Sequence, residues 1–337
     1  MAHPPSIPRM NAHLAHRILT KKAQLDGYRP LPAEVMQRLN DDLRVAFTYH
    51  SNAIEGNTLT LRETQLVIEY GMTAGGHPLR EYLEATNHAG AYGQLLDLVR
   101  LQTPITQEVI LTLHRVTMAK ILDAPGDMRQ VPVHIRGAAM TPPAPHLIDR
   151  YLREWVQWVN ETGREYPTVV RAAVAHHGFE AIHPFVDGNG RVGRLLLNFI
   201  LMQDGYPPAI IEREWRAEYI AALGAADAGN YRALADLVGR AVEIGLDRFL
   251  EACVIMPDDP YQPLAALAPQ VGFSANYLGL LIRGRKLHGI KRGKLWYTTL
   301  DEIARYKAEV ADPEHPQGRP RHELLRLPGD PSAKLDR

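Results

Sequence analysis

The stretch that decides the fold is His183-Pro-Phe-Val-Asp-Gly-Asn-Gly-Arg-Val-Gly-Arg194, which lies between two apolar segments. Residues 169–182 before it and residues 195–202 after it are both predicted to be helices, because apolar side chains fill them almost continuously. Pro184 has no backbone N–H and disfavours helical geometry at the residue before it. The first helix is therefore predicted to end at or near His183.

A glycine-rich turn follows at Gly188, Asn189 and Gly190, where positive φ values and close approach of a ligand to the backbone are tolerated. Such a turn at the start of a helix makes an anion site, since free N–H groups and the positive end of the helix dipole converge there. Arg191 and Arg194 are three residues apart, so both can reach phosphate oxygens from one face of the first helical turn.

Two more side chains of this stretch suggest chemistry. The carboxylate of Asp187 lies just before the turn, where it can hold a hard cation such as Mg²⁺. His183 lies at the other lip and is the natural candidate for a general base near neutral pH. The residues by themselves thus predict a phosphate site, a cation site and a base.

The same stretch contains the pattern G-x-G-x-x-G, from Gly188 to Gly193, which is typical of dinucleotide-binding folds. That fingerprint requires a preceding β-strand in a βαβ unit. Here the preceding residues are alanine-rich and helical in pattern, and His-Pro-Phe intervenes. We therefore do not expect a Rossmann fold.

Every fixed position of H-P-F-x-D/E-G-N-G-R-x-x-R is present, so residues 183–194 resemble the signature of the Fic family, and the resemblance extends over about Leu31 to Leu250. It implies a helical core that uses Mg²⁺ and ATP to transfer AMP to a hydroxyl side chain of a protein. It also implies that His183 is catalytic, that Asp187 holds Mg²⁺, and that the nucleotide-binding residues are Gly188, Asn189, Gly190, Arg191, Val192, Gly193 and Arg194.

Two further nucleotide-contact candidates come from a weaker match. Tyr219 and Asp227 lie near positions that flank the base or ribose in some Fic proteins, although Asp227 stands where an asparagine is expected. Tyr219 is equally consistent with a packing role.

The segment Ser51-Asn-Ala-Ile-Glu55-Gly56 follows a predicted helix over Asp41–Ile54. A carboxylate near a helix C-terminus is unfavourable unless a cation meets it, and the plain interpretation is a solvated glutamate. The segment also resembles the inhibitory motif S/T-x-x-x-E-G/N of Fic proteins, which implies an intramolecular, bidentate pair between Glu55 and Arg194 that blocks the ATP γ-phosphate. In some relatives the same glutamate positions water that removes AMP.

Residues 129–143 break the helical pattern. Val131, Val133 and Ile135 alternate with other residues, which predicts a short extended hairpin. A structural loop is the alternative. By resemblance this segment is the flap that holds a target by strand-like pairing, with Val133, His134, Ile135 and Arg136 as its candidate residues.

The histidines upstream of the motif suggest a metal site at first sight. His177 and Glu180 lie on one helix face, but the spacing is not H-E-x-x-H and no further ligand set is evident. His176 is better explained as a packed histidine of the helix.

Composition bounds the remaining possibilities. The chain has 337 residues, a hydrophobic fraction of 45% and a formal net charge of zero, so a sizeable core is expected and a globally basic nucleic-acid protein is not. One cysteine, Cys253, excludes an intrachain disulfide. No apolar run approaches 18 residues and the N-terminus has no apolar signal region. We expect a cytoplasmic protein without a membrane partner.

The composition changes after the Pro257–Pro260 linker. Residues 264–282 predict a helix-turn-helix with a Gly272 turn and a Ser274 cap, residues 287–298 predict a wing hairpin, and a last helix ends near Val310. Acidic residues are absent from 274–300, which indicates phosphate contact, although a protein-docking module is the alternative. The DNA-contact candidates are Arg283, Arg285, Lys286, Lys291, Arg292 and Lys294.

The sequence therefore predicts a mainly α protein with five regions: residues 1–30, a helical region 31–100 with the inhibitory motif 51–56, a Fic core 101–255, a winged-helix-like module 256–311 and a disordered tail 312–337. The predicted activity is protein adenylylation of a Ser, Thr or Tyr hydroxyl, with self-modification, DNA binding and homodimerisation left open. The alternative function is a DNA-binding regulator whose nucleotide pocket acts as a sensor.

Overall fold

The computed structural model describes residues 7–73, 75–135, 140–254, 261–284, 286–292 and 295–311. It divides into two compact units, Met1–Ile255 and Met256–Arg337. The predicted mainly α fold is confirmed. The helices of the first unit are α1 (Ala12–Asp26), α2 (Ala33–Ile54), α3 (Leu61–Tyr70), α4 (Leu79–Arg100), α5 (Gln107–Thr117), α6 (Ile148–Asn160), α7 (Thr168–Ile182), α8 (Asn189–Gln203), α9 (Arg216–Asp227) and α10 (Arg232–Val254), with 3₁₀ turns at Pro145–Leu147, Thr162–Glu165 and Arg213–Trp215.

Helices α7 and α8 form the centre of the first unit and pack against each other. Helix α7 also contacts α6, α9 and α10, while α8 contacts α2, α4 and α5. Such a position requires apolar side chains on all faces, and both helices have them, from Val169 to Ile182 and from Val192 to Leu201. The loop between them is therefore held from both sides at a fixed place in the core.

Local signals fix several helix ends, and the end of α7 at His183 is the one predicted above. Pro32 directly precedes α2, and Thr60 and Glu63 form a capping box at the start of α3. His183 ends α7 in the left-handed conformation, with φ of 50°. Two boundaries differ from the prediction: α2 begins eight residues before Asp41, because no breaker lies between Pro32 and Ile54, and α8 begins at Asn189 rather than at Leu195.

The early start of α8 follows from the turn before it. Of the three turn residues 188–190, Gly188 alone has a positive φ, 83°. The expectation of positive φ values at Asn189 and Gly190 is therefore wrong. The Asn189 side chain accepts a hydrogen bond from Phe185 N (3.0 Å) and donates one to Phe185 O (2.9 Å). These bonds close the loop, so the helix can begin directly after one left-handed residue.

The predicted flap hairpin is not formed by the residues that the structure describes, 129–135 and 140–143, none of which lies in a strand. The buried guanidinium of Arg129 instead donates hydrogen bonds to three backbone carbonyls, those of Val131 (2.9 Å), Pro143 (2.7 Å) and His183 (2.8 Å). Pro132 also lacks the N–H that a ladder needs. Of the flap candidates, Val133, His134 and Ile135 lie in this loop, and Arg136 lies outside the described residues.

In its described residues, the second unit contains three helices and a small antiparallel sheet of order β1-β3-β2. A buried cluster that includes Leu267, Leu278 and Ile303 forms its core. Ser274 Oγ accepts from Tyr277 N (3.1 Å) and Thr299 Oγ1 from Glu302 N (3.1 Å), so each caps a helix. The elements are β1 (Gln262–Pro263), α11 (Leu264–Val271), α12 (Ala275–Arg283), β2 (Ile290–Arg292), β3 (Leu295–Thr298) and α13 (Leu300–Ala311).

Among the described residues, no single helix is long and apolar enough to cross a membrane, and one bent pair, α11 with α12, passes the test of length and composition only when its halves are combined.

Candidate active site

His183 stands at the end of α7 with its ring oriented by the backbone. Its Nδ1 lies 3.2 Å from Glu180 O, a group that can only accept, so Nδ1 carries the proton and Nε2 keeps its lone pair. Burial, the largest effect, lowers the pKa of His183 from its ordinary value. A neutral imidazole with a free Nε2 is the form that a general base requires.

The Arg194 guanidinium is buried and lies at the point where α2 ends. Its Nε donates to Ser51 Oγ (3.0 Å), and its Nη2 donates both to Ser51 O (2.8 Å) and to Glu55 Oε1 (2.8 Å). The predicted contact between Glu55 and Arg194 is thus present. It is a single bond rather than a bidentate fork, because Ser51 already takes Nε.

Glu55 also lies against the backbone of the glycine-rich turn. A Cβ placed on Gly190 would come within 2.2 Å of Glu55 Oε1. The carboxylate therefore occupies the space beside the first turn of α8, where the helix dipole and the N–H groups favour an anion. A phosphate group and Glu55 would compete for this space and for Arg194.

Arg191 is held by a different carboxylate, Glu84 of α4. Its Nη1 lies 3.0 Å from Glu84 Oε1, and its Nη2 donates to Asp187 Oδ1 (3.2 Å). Glu84 is buried and also accepts from Arg80 Nε (3.1 Å) and Asn57 Nδ2 (3.0 Å). These side chains form one charged network that fixes Arg191 before any ligand arrives.

Asp187 belongs to the same network, and we tested whether it suits a cation. Its Oδ1 accepts from Gly188 N (2.6 Å) as well as Arg191, and its Oδ2 accepts from Arg80 Nη2 (2.5 Å). Arg80 is half exposed and can move away. Mg²⁺ commonly takes one or two protein carboxylates together with phosphate oxygens, so Asp187 fits the cation once Arg80 releases Oδ2. Among the described residues, no three His, Cys, Asp or Glu side chains form a metal cluster.

Some of the predicted nucleotide-binding residues line a cavity of about 310 Å³. Glu55, His183, Gly190 and Arg194 line it, as does the flap loop through His134 and Ile135. Val192 is instead part of the hydrophobic core, and a Cβ on Gly193 would come within 2.2 Å of Glu180 Oε1. We assign both residues to packing rather than to side-chain contact with a ligand.

Tyr219 and Asp227 line the far side of this cavity. Tyr219 is buried and its OH lies 2.6 Å from His176 Nε2, so His176 is a packed histidine as expected. Asp227 accepts from His177 Nε2 (2.9 Å), whose Nδ1 lies 3.1 Å from Tyr231 OH. His177 is thereby engaged on both nitrogens, and Asp227 offers a fixed acceptor to the cavity.

Glu180 enters the sequence analysis only in the metal site that is argued against there. It lines the cavity, and its Oε1 is shielded from solvent without a hydrogen-bond partner. Burial raises the pKa of Glu180 to about 8, with Glu55 adding to the rise and Arg194 opposing it. Glu180 is therefore protonated at neutral pH, and Arg194 has one charged carboxylate beside it rather than two.

Four more residues were missed: Arg80, Glu84, Arg129 and His114. The His114 ring stacks on Phe185 with 3.6 Å between centroids, accepts from Gly126 N at Nδ1 (2.8 Å) and donates from Nε2 to Asp187 O (3.0 Å). No motif marks these residues, and the one available signal was a polar side chain within an apolar helical pattern, as at Glu84 and His114.

The DNA-contact candidates lie in the second unit. Arg283, Lys286 and Lys291 are exposed, and Lys291 Nζ lies 5.9 Å from the centroid of the Trp296 ring. Arg292 is in β2, and its side chain is outside the described part of the chain, as are Arg285 and Lys294.

Comparison with known proteins gives a consistent family. A model described as the Fic/DOC family matches residues 104–201. The chain is 36% identical over 222 residues to the protein adenylyltransferase fic-1 of Caenorhabditis briggsae, covering 64% of this chain and 43% of that protein. It is 32% identical to the protein adenylyltransferase Fic of Nematostella vectensis, covering 75% and 59%. The chain thus spans about half the length of the curated relatives it matches.

Solved structures agree with the sequence comparison. A fragment of Fic-1 from Caenorhabditis elegans superposes with a TM-score of 0.64 at 32% identity, covering 72% of this chain and 73% of the fragment. A Fic domain containing signaling protein from Bacteroides thetaiotaomicron superposes with a TM-score of 0.67 at 26% identity, covering 72% of this chain and all of that one.

Proposed function

The chain belongs to the Fic family, and from this membership we propose that it is a protein adenylyltransferase that moves AMP from ATP to a Ser, Thr or Tyr hydroxyl of a protein, including its own chain. The observation that carries the proposal is the convergence on one cavity of a free imidazole nitrogen, His183 Nε2, and of a buried arginine at the start of a helix, Arg194. A base beside an anion site is the arrangement that phosphoryl transfer needs.

The proposed reaction is an attack of the target hydroxyl on the α-phosphorus of ATP. The new bond joins the hydroxyl oxygen to the α-phosphorus, and the bond from the α-phosphorus to the bridging oxygen of the β-phosphate breaks. His183 Nε2 accepts the hydroxyl proton, and pyrophosphate leaves. The N–H groups at Gly188–Gly190 stabilise the charge that develops on the phosphate oxygens, while Arg191 and Arg194 bind the β and γ phosphates.

A divalent cation fits this proposal at Asp187. Mg²⁺ bound there would neutralise phosphate charge. Asp187 supplies the carboxylate. His114 Nε2 donates to the backbone carbonyl of Asp187, and Gly188 N donates to its Oδ1, so the residue is held in place. Arg80 occupies Oδ2 in the resting arrangement and must leave it.

We further propose that the resting protein is inhibited within its own chain. Glu55 uses the Nη2 donor of Arg194 and the space next to Gly190 that a phosphate would occupy. ATP that binds with its γ-phosphate displaced has its α-phosphate misaligned for in-line attack, and misplacement of about 1 Å can cost a hundredfold in rate.

Intact-mass measurement after incubation with each Mg-NTP tests the activity and the choice of nucleotide. In the Glu55→Gly background we expect mass increments of one AMP. His183→Ala in that background should abolish them, while calorimetry should show ATP binding largely retained, since His183 lies beside the phosphate site rather than within it. General-base catalysis contributes about 10² to 10⁴ in rate. Full transfer by His183→Ala would remove the proposed base, and ATP binding without transfer in both backgrounds would favour the nucleotide sensor.

A further inference from the structure

The second unit contains a charged surface that adenylyl transfer does not use. No Asp or Glu occurs between Ser274 and Leu300, whereas six Arg or Lys residues do. A basic stretch without acidic residues, on a chain of zero net charge, is typical of a segment that binds a polyanion.

The backbone of this unit has the geometry of a helix-turn-helix. Helices α11 and α12 are bent by 110° at a three-residue break, and Gly272 begins that break in the left-handed conformation with φ of 72°. Helix-turn-helix pairs cross at about 90–120° over turns of three or four residues that often contain glycine. In such pairs the second helix, here α12, enters the major groove of DNA.

One face of α12 is buried and the opposite face is open. Leu278, Leu281 and Ile282 lie in the core of the unit. Asn276, Leu280 and Arg283 are exposed, and their spacing of four and then three residues places them together on the open face. Leu280 is 57% exposed, so this face also presents one aliphatic side chain.

The three open side chains match the three kinds of group that a base pair presents in the major groove. An asparagine amide pairs with adenine N6 and N7, an arginine fork pairs with guanine O6 and N7, and an aliphatic group contacts the thymine methyl. Lys286, three residues after Arg283, and Lys291, in β2, are exposed and can contact phosphates. A protein-docking surface would need a larger apolar patch, whereas Leu280 is the one strongly exposed aliphatic side chain of α12.

We propose that α12 reads duplex DNA through Asn276, Leu280 and Arg283, with Lys286 and Lys291 binding the phosphate backbone. The DNA surface and the adenylyl-transfer site lie in different units of the chain, so the two proposals stand or fall separately.

The test uses the full chain and a library of random 30-base-pair duplexes, with affinity measured by fluorescence anisotropy and sequence preference by repeated selection. We expect affinity to fall with rising salt and the selection to enrich a motif. Lys291→Ala should weaken binding to all sequences alike and reduce the salt slope by about 1. Asn276→Ala should lower discrimination at one position of the motif by about 5- to 150-fold. Leu280→Ala should alter the preference at another position, and both variants should keep the non-specific affinity.

Leu300→Ala, which changes another exposed leucine of the same unit, is the matched control and should alter neither quantity. Thermal melting should show all variants folded, because the altered side chains are exposed. The proposal is overturned if the full chain shows no salt-sensitive DNA binding, if no motif is enriched, or if Leu280→Ala and Leu300→Ala behave alike in the selection. Stable association of the unit with a protein surface, in the absence of DNA binding, would assign it to protein docking.

Discussion

The two arginines of the central motif meet similar partners with different consequences. Arg191 faces Glu84, whose side chain is 9% exposed and is engaged by Arg80 and Asn57 as well. Arg194 faces Glu55, whose side chain is 37% exposed and touches it through one hydrogen bond. A buried carboxylate with several donors is a permanent part of the fold, whereas a half-exposed one with a single bond can leave.

This difference explains how one kind of ion pair can stabilise the fold at Arg191 and inhibit the site at Arg194. Losing Glu84 would leave the buried Arg191 with the partly exposed Asp187 as its carboxylate partner. Removing the buried partner of an ion pair costs more than the intact pair contributes. Losing Glu55 leaves Arg194 with two bonds to Ser51, so the arginine stays in place and becomes available. The network around Arg191 is thus a fixed scaffold for the site, and the contact at Arg194 is its removable element.

The largest expected effect is the loss of stability when the network around Arg191 is broken. Glu84→Ala should lower the free energy of unfolding by about 3–5 kcal/mol, because it removes the buried partner of Arg191. Urea denaturation measures this. Glu108→Ala, which changes an exposed glutamate, is the control and should stay within about 0.5 kcal/mol of wild type. Equal losses in the two variants would show that Glu84 is not structural.

A second prediction concerns the buried carboxyl beside Arg194. The folded-state pKa of Glu180, about 8, is above its ordinary value of 4.5, so the folded chain holds a proton between these values that the unfolded chain has released. Stability contributed by this proton is present below pH 4.5 and is lost as pH rises towards 8. Glu55, Arg194, Tyr219 and His176 face this group.

Glu180→Gln removes the titration, so the stability of this variant relative to wild type should rise with pH, by up to about 1.4 kcal/mol per unit. Urea denaturation of both proteins at pH 5, 6.5 and 8 checks it, because other titrating groups cancel in the difference. Parallel pH curves for the two proteins would mean that Glu180 is ionised in the folded state.

The smallest expected effect is on cation affinity, and it tests whether Arg80 competes with a cation for Asp187. Arg80→Gln frees Asp187 Oδ2 of a half-exposed ion pair, and such pairs contribute up to about 1 kcal/mol. Mn²⁺ titrated into the protein with ADP, and followed by electron paramagnetic resonance, should therefore bind up to about fivefold more tightly. Arg153→Gln, at an exposed arginine paired with Asp149, should leave Mn²⁺ affinity unchanged. Weaker binding by Arg80→Gln would mean that Arg80 supports the cation instead.

Local signals made much of the fold and part of the site predictable. The end of α7 at His183 depends on the neighbouring Pro184 and was predicted. The contact between Glu55 and Arg194 joins residues 139 positions apart, and only family resemblance suggested it. The pairing of Arg80 with Asp187, 107 positions apart, has no motif and was missed.

The flap shows how tertiary contacts override a local pattern. Alternation of Val131, Val133 and Ile135 predicted a hairpin, but it contains no information about Arg129. Because the guanidinium of Arg129 donates to the carbonyls of Val131 and Pro143, on both sides of the loop, these two acceptors are satisfied without strand pairing in the described residues. Glu180 is a similar case, since its environment is created by α8 and by Glu55.

The most direct test of the account is the initial rate of AMP incorporation, measured by intact mass with Mg-ATP, in wild type and Glu55→Gly. If Glu55 inhibits the site, the initial rate of AMP incorporation should be higher in Glu55→Gly than in wild type by about a hundredfold or more. The free energy of unfolding should be similar in the two proteins. Arg194→Ala and the double variant should both be slow, because freeing an absent arginine has no effect. Prolonged incubation of modified protein with wild type would reveal removal of AMP. Equal incorporation rates for wild type and Glu55→Gly, with both folded, would contradict inhibition by Glu55.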